Sequence, residues 1–407
     1  MPDRSKRIVR SVTAVILFCF LCVTGTQAEE SLLVEDNSAF AIDLYRKLGE
    51  SNGNLFFSPY SISTALGMTY GGARGNTAKQ MAKVLRFSLN QEDLHFAFSQ
   101  LLSKLNKLQE AGNIRLNVAN SLWPQQDYAF LDEYLSLVEQ NYGVSIDPVD
   151  YKHAHENARA MINRWVEDKT QNKIKDLIQP GILNALTRLV LVNAIYFKGG
   201  WQNPFKTERT KLSPFRTFSG KSVQVPMMTQ RQILGYADLG SFQMLEVPYA
   251  GNETSMIVIL PKANKDLKQL ETRMSTERLS EWLNRLNDRE VVVYLPKFEL
   301  TSTFRLDETL VSMGMSDAFN ETKANFAGMD GNEDWLHIGA VVHKAFIEVN
   351  EEGTEAAAAT AVIMAARGTL SPPPVFRADH PFLFLIHEKQ TGSILFMGRV
   401  SDPTVSG

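Results

Sequence analysis

The sequence predicts an α+β protein, with helices gathered in the first half and strands in the second. Two patterns carry the prediction. Apolar residues recur at helical spacing up to about residue 180, and beyond it short runs of Val, Ile and Leu follow without helical phasing. The 407 residues are 44% hydrophobic and 21% charged, with a formal net charge of −3. That composition excludes a disordered chain, a collagen and a coiled coil. It offers no basic field for nucleic acid or an acidic membrane surface. Length alone would allow two or three domains, yet no repeat or Gly/Ser linker divides the chain.

Taken in order, residues 1–28 read as a secretory signal. Arg4, Lys6, Arg7 and Arg10 form a basic start, Val12 to Val23 is an apolar run too short to span a bilayer, and Thr26-Gln27-Ala28 supplies small residues at a cut. The expected product is a secreted protein of residues 29–407, extracellular or periplasmic. Cys19 and Cys22, the two cysteines of the chain, would leave with the signal, so no disulfide or thiolate site is expected.

Helices come next. Phe40, Leu44 and Leu48 share a face that Gly49 ends. Leu94, Phe98, Leu101, Leu105 and Leu108 share another, before Gly112. Ala158, Met161, Ile162, Trp165 and Val166 follow the spacing i, i+3, i+4, i+7, i+8. Then come strands: Arg188–Val192, nearly continuous apolar, Met256–Leu260, Val291–Leu295, Val341–Val349, Phe382–Ile386 and Ile394–Val400. Short spacing suggests antiparallel hairpins around 291–300 and 382–400, the second closed by Lys389-Gln-Thr-Gly392.

About thirty residues between the strands ending at Val349 and starting at Phe382 fit neither element. They read Glu351-Glu-Gly-Thr-Glu-Ala-Ala-Ala-Ala-Thr360, then Ala-Val-Ile-Met-Ala-Ala-Arg367-Gly368, then a stretch ending in Pro372-Pro-Pro374. Compact proteins rarely carry so long a connection without a function for it. Gly353 gives a hinge with free backbone angles. After it, Thr354, Ala356, Ala358, Thr360, Val362 and Met364 alternate with Glu355, Ala357, Ala359 and Ala361, so one set could face a core as a strand. The prolines bar a central strand and leave Arg367 at an exposed tip. The alanine-rich composition also suits a plain surface helix.

The whole of 29–407 resembles a serpin. Glu351 to Thr360 is similar to the hinge of inhibitory members. His380-Pro-Phe-Leu-Phe384 and Leu395-Phe-Met-Gly-Arg-Val400 resemble the C-terminal strands. Asn54-Leu-Phe-Phe-Ser-Pro-Tyr-Ser-Ile62, Leu191-Val-Asn-Ala-Ile-Tyr-Phe-Lys-Gly-Gly-Trp201, Val225-Pro-Met-Met228, Leu295-Pro-Lys-Phe298 and Val342-His-Lys-Ala345 match in order and spacing. The loop layout most resembles antithrombin. The resemblance implies one domain with about eight or nine helices, three β-sheets and an exposed reactive-centre loop at about 351–380.

It also implies suicide inhibition of a protease. The protease attacks the loop, and the cut loop then inserts into the main sheet before the acyl-enzyme can hydrolyse. By loop spacing the scissile bond is Arg367–Gly368, a bait for an Arg-specific, trypsin-like serine protease held as a covalent complex. Gly353, Thr354, Glu355, Ala356, Ala357, Ala358, Ala359 and Thr360 form the hinge, with Glu351 before it. Ser58, Ser61, Asn193 and His343 map to a shutter beneath the opening sheet, and Trp201 to the breach where insertion begins. Alternatives are an inhibitor of Arg-specific cysteine proteases and a non-inhibitory binding protein on the same fold.

No catalytic motif points to an enzyme, and no cofactor is expected. The pair His153 and His155 with Glu156 reads as a solvated helix face rather than a metal site. The helix at 94–111 carries only Lys104 and Lys107, so no heparin-type activation site is expected. The protein is expected to act as a monomer. Asn252-Glu-Thr254 and Asn320-Glu-Thr322 are glycosylation sequons.

Overall fold

The computed structural model describes residues 5–354 and 372–406, apart from 111, 113, 128, 145, 264, 265 and 333–335. The elements run α1 (Ser5–Leu48), β1 (Leu55–Phe57), α2 (Pro59–Gly72), α3 (Gly75–Leu85), α4 (Gln91–Glu110), β2 (Ile114–Pro124), α5 (Asp132–Tyr142), α6 (Tyr151–Lys169) and β3 (Leu189–Gly200). Then come β4 (Lys211–Arg216), β5 (Ser222–Asp238), β6 (Phe242–Pro248), β7 (Thr254–Pro261), α7 (Leu267–Arg273), α8 (Thr276–Leu283), β8 (Asn287–Pro296) and β9 (Phe298–Arg305). The chain closes with α9 (Asp307–Met313), α10 (Ala327–Asp330), β10 (Ala340–Val349), β11 (Gly353–Thr354), β12 (Val375–Arg377), β13 (Phe382–Glu388) and β14 (Ile394–Val400). The α+β prediction holds, and the predicted helical faces lie in α1, α4 and α6.

One sheet contains β2, β3, β10 and β9, with the short β11 alongside β3; the other orders β1-β14-β13-β7-β6-β5-β8-β12, with β4 on β5. Three sheets were anticipated. The second and third run into each other because the 17-residue β5 pairs with β4 over Ser222–Met227, with β8 over Met227–Tyr236 and with β6 over Gly235–Asp238. The hairpin predicted at 382–400 is present, β13 pairing antiparallel with β14. Its turn is held by the buried Glu388 carboxylate, which accepts from the backbone N–H groups of Gln390 (2.8 Å) and Thr391 (2.7 Å). The hairpin predicted at 291–300 does not exist. β8 pairs with β5 and β12, whereas β9 pairs with β10 in the other sheet. A single residue, Lys297, joins the two strands, and a hairpin needs at least two loop residues to reverse. The chain therefore bends and changes sheet.

α1 runs through the cut expected after Ala28 without a break. Glu30, two residues beyond, is buried and accepts from Lys104 Nζ at 2.7 Å, tying α1 to α4. The main core packs α2 and the inner faces of both sheets, with Phe56 stacked between Phe384 and Phe396 at 5.7 and 5.2 Å. A second cluster lies under α6, where Ala158, Ile162 and Val166 meet Val190, Val192 and Ala194 of β3. β3 is thus covered on both faces, as its unbroken apolar run required.

A polar shutter and an occupied fork in the five-stranded sheet

Across the middle of the five-stranded sheet, register places Asn120 beside Asn193 and Asn193 beside His343. Three polar side chains thus cross from β2 through β3 to β10. α2 adds two serines from below. Ser58 is its N-cap, with Pro59 at the first turn: Ser58 Oγ accepts from Ser61 N–H at 3.1 Å and donates to Leu395 O at 2.6 Å. Ser61 Oγ donates to Asn120 Oδ1 at 2.9 Å, and Asn193 Nδ2 donates to Ser61 Oγ at 2.7 Å. The predicted quartet Ser58, Ser61, Asn193 and His343 is therefore one buried network. Asn120 belongs to it and was missed by sequence reasoning. The signal was there: Ile114, Leu116 and Val118 alternate, and Asn120 continues their phase.

His343 links the two strands. Its Nε2 accepts from Ser58 N–H at 3.2 Å, so Nδ1 carries the proton donated to Asn193 Oδ1. Burial pushes this imidazole down to about 3. A histidine held neutral in the fold titrates near 6.5 once exposed, so the unfolded chain binds the extra proton first. Its stabilisation is complete above about pH 6.5 and is lost as pH falls towards 3. The wild-type urea midpoint is accordingly expected to drop more between pH 7.5 and pH 4.5 than that of His343→Gln. Equal drops would remove His343 as the cause.

Further along, β3 and β10 pair in parallel from Ala340↔Val190 to Phe346↔Tyr196 and then diverge. The fork is occupied. Gly353 and Thr354 form β11 and pair antiparallel with Gly200 and Gly199. Asn350 makes the turn: its N–H donates to Gly353 O at 2.9 Å, and its Oδ1 accepts from Glu352 N–H at 3.0 Å. Gly353 sits at φ +148°, and a Cβ there would overlap the Gly199 carbonyl oxygen and lie 2.6 Å from Gly200 Cα. Only glycine fits.

Trp201, fully buried, closes the top. Its Nε1 donates to Asn350 O and its backbone N–H to Glu352 O, both at 2.9 Å. Its ring stacks on Tyr249 at 4.7 Å. Glu351 is pinned beside it, accepting from Thr210 Oγ1 at 2.7 Å and pairing with Lys297 Nζ at 2.7 Å. Burial pulls that carboxyl up, but Lys297 and Thr210 outweigh it and hold the group below its ordinary value.

Of the predicted loop residues, Glu351, Gly353 and Thr354 are placed as described. Glu355, Ala356, Ala357, Ala358, Ala359, Thr360, Arg367 and Gly368 lie outside the described residues. The far anchor is defined: Val375–Arg377 pairs in parallel with β8, Pro374 O accepts from Val292 N–H at 3.0 Å, and the Arg377 guanidinium lies 3.6 Å over the Tyr294 ring. Among the described residues, no group of three or more His, Cys, Asp or Glu could hold a metal ion.

Comparison with known proteins agrees with this geometry. A family model described as serpin (serine protease inhibitor) matches residues 35–403. The human leukocyte elastase inhibitor is 44% identical over 377 residues, covering 90% of this chain and 98% of its own length. Serpin B6 of Pongo abelii is 42% identical over 379 residues, covering 91% and 100%. Among solved structures, uncleaved ovalbumin superposes with a TM-score of 0.82 at 33% identity, covering 91% of this chain and all of that one. A highly specific serpin of the insect Tenebrio molitor gives 0.80 at 32%, covering 91% and 98%. These relatives correct the expectation of a signal peptide over 1–28 and of a secreted, extracellular or periplasmic protein. The leukocyte elastase inhibitors and serpin B6 are intracellular serpins without signal peptides. The apolar run that suggested a signal lies within the long helix α1.

Proposed function

The chain belongs to the serpin family of protease inhibitors, and on that premise we propose that it is a suicide-substrate inhibitor of Arg-specific, trypsin-like serine proteases, cut at Arg367–Gly368. The observation that carries the reading is the occupied fork: the first two hinge residues already lie as a strand beside β3. Every hinge side chain from Ala356 to Thr360 is small enough to follow. Continued insertion must part the pairs from Phe346↔Tyr196 down to Ala340↔Val190, and the buried shutter lies across them at Asn193 and His343. Each new ladder hydrogen bond then nets about 1 kcal/mol. The resting protein is thus a kinetically held state, acting as a monomer, with 29–407 working as one cooperative unit. The partner is the protease, held as a covalent acyl-enzyme.

Trypsin tests the proposal. Incubation is expected to yield a complex that survives denaturing electrophoresis, and Arg367→Glu is expected to abolish it, a loss of at least about a thousandfold in inhibition rate, since an anion replaces the bidentate partner of the carboxylate pocket. Clean cleavage after Arg367 with no complex would refute trapping.

A second reading comes from the names of the relatives, leukocyte elastase inhibitors at 43–44% identity. It places the cut after Met364 or Ala366, whose side chains suit a shallow apolar pocket. Mass analysis of the peptide released from each complex assigns the bond.

A further inference from the structure

At Thr354 a side-chain bond holds the hinge in the fork. Tyr249, just after β6, is fully buried, and its hydroxyl lies 2.9 Å from Thr354 Oγ1. Its ring is fixed on several sides. Trp201 stacks on it at 4.7 Å with 13° between planes, and Phe197 meets it edge-on at 4.9 Å. Gly199 leaves room for it, since a Cβ there would come within 3.0 Å of Tyr249 Cδ1. Its backbone N–H donates to Thr254 O at 2.9 Å. The ring cannot swing out to follow a departing hinge. If Thr354 leaves, a hydroxyl in a dry site loses its bond.

We propose that Tyr249 is the positioning residue that keeps Gly353 and Thr354 docked in the resting sheet, so that insertion of the cut loop starts from a nucleus already in place. This rests on the inhibitory reading above. Gly353 supplies the backbone fit and Thr354 the hydroxyl that addresses the hinge to this position. On this proposal the bond is kept through cleavage, so it does not have to break during insertion. It removes the slow first step, in which residues are fixed before the ladder rewards them. Insertion races deacylation, so a slower start releases more protease with the inhibitor spent.

Tyr249→Phe removes the hydroxyl and keeps the ring. The number of inhibitor molecules spent as cleaved substrate per trypsin trapped is expected to rise about fivefold, the factor carried by one buried hydrogen bond. The rate of loop cleavage should stay at the wild-type value. Thr354→Val should reproduce the effect, and the double variant should be no worse than either single one. Unchanged consumption in both single variants, or additive effects in the double, overturns the proposal. Backbone amide exchange at Gly353 and Thr354, with Trp201 emission, reads the catch without any protease. Exchange should be faster in Tyr249→Phe, and wild-type exchange there overturns the catch even if inhibition is intact. If wild-type protein gives no complex with trypsin yet exchange accelerates in the variant, the catch stands and the inhibitory reading falls.

Discussion

Thr354→Arg is expected to turn the inhibitor into a substrate. Thr354 is completely buried, with its hydroxyl against Tyr249 and its backbone paired to Gly199. An arginine there would bring a guanidinium into a site lined by Tyr249, Phe197 and Trp201. Glu351, the buried hinge carboxylate beside Trp201, is already engaged by Lys297 and Thr210. A buried charge without a partner costs several kcal/mol, and each ~1.4 kcal/mol is tenfold in a rate or partition. The hinge would stay outside the sheet before cleavage and stall at its first buried position afterwards. Loop cleavage should continue while covalent complex falls by well over about tenfold, and the cleaved variant should lack the rise in melting temperature that insertion brings. Undiminished complex would refute the hinge assignment. Folding itself should survive, because an undocked hinge can remain in solvent.

Arg399→Ala is expected to cost about 3–5 kcal/mol of stability, the range for breaking a buried ion pair from one side. Arg399, on β14, is fully buried, and its Nη1 donates to Glu271 Oε1 at 2.6 Å. Its Nε donates to Gly53 O at 3.0 Å, and Nη2 to Gly53 O and Ser51 O. Tyr45 OH donates to the same Glu271 oxygen at 2.7 Å. One guanidinium therefore joins α1, the turn after it, α7 and β14. Without it, the Ser51 carbonyl loses its Arg399 donor, Gly53 O keeps Ser401 Oγ at 3.1 Å, and Glu271 keeps Tyr45 and the half-exposed Lys268. The urea midpoint at fixed incubation time should fall sharply. Adding Glu271→Ala should cost less than the sum of the two single changes. A loss below about 1 kcal/mol for Arg399→Ala would place the network among exposed pairs instead.

Much of this was legible in the residues. Strong periodicity located α4, α6, β3, β10, β13 and β14, because each buries a continuous stripe or face. Gly353 and Thr354, read as the start of a segment that could enter a sheet, pair with β3. Weak or two-sided signals misled. The basic and apolar start of the chain reads as a leader in sequence and continues into a helix that packs on α4 through Glu30. The run through residue 297 reads as a hairpin, whereas one linking residue only permits a bend between sheets.

What the sequence determined by itself is the chemistry on offer: an α+β chain, small side chains at alternate positions after Gly353, an arginine within a long connection between strands, and glycine where the hinge turns. What only the tertiary structure decided is which distant groups meet. Asn120, Asn193 and His343 form one row because three strands share a register. Tyr249 reaches Thr354 across 105 positions of sequence. Arg399 finds Glu271 128 positions away. Strand register is fixed by burial of whole sheet faces, a collective energy that no local window contains, and a shift of one residue would point each of these side chains the other way.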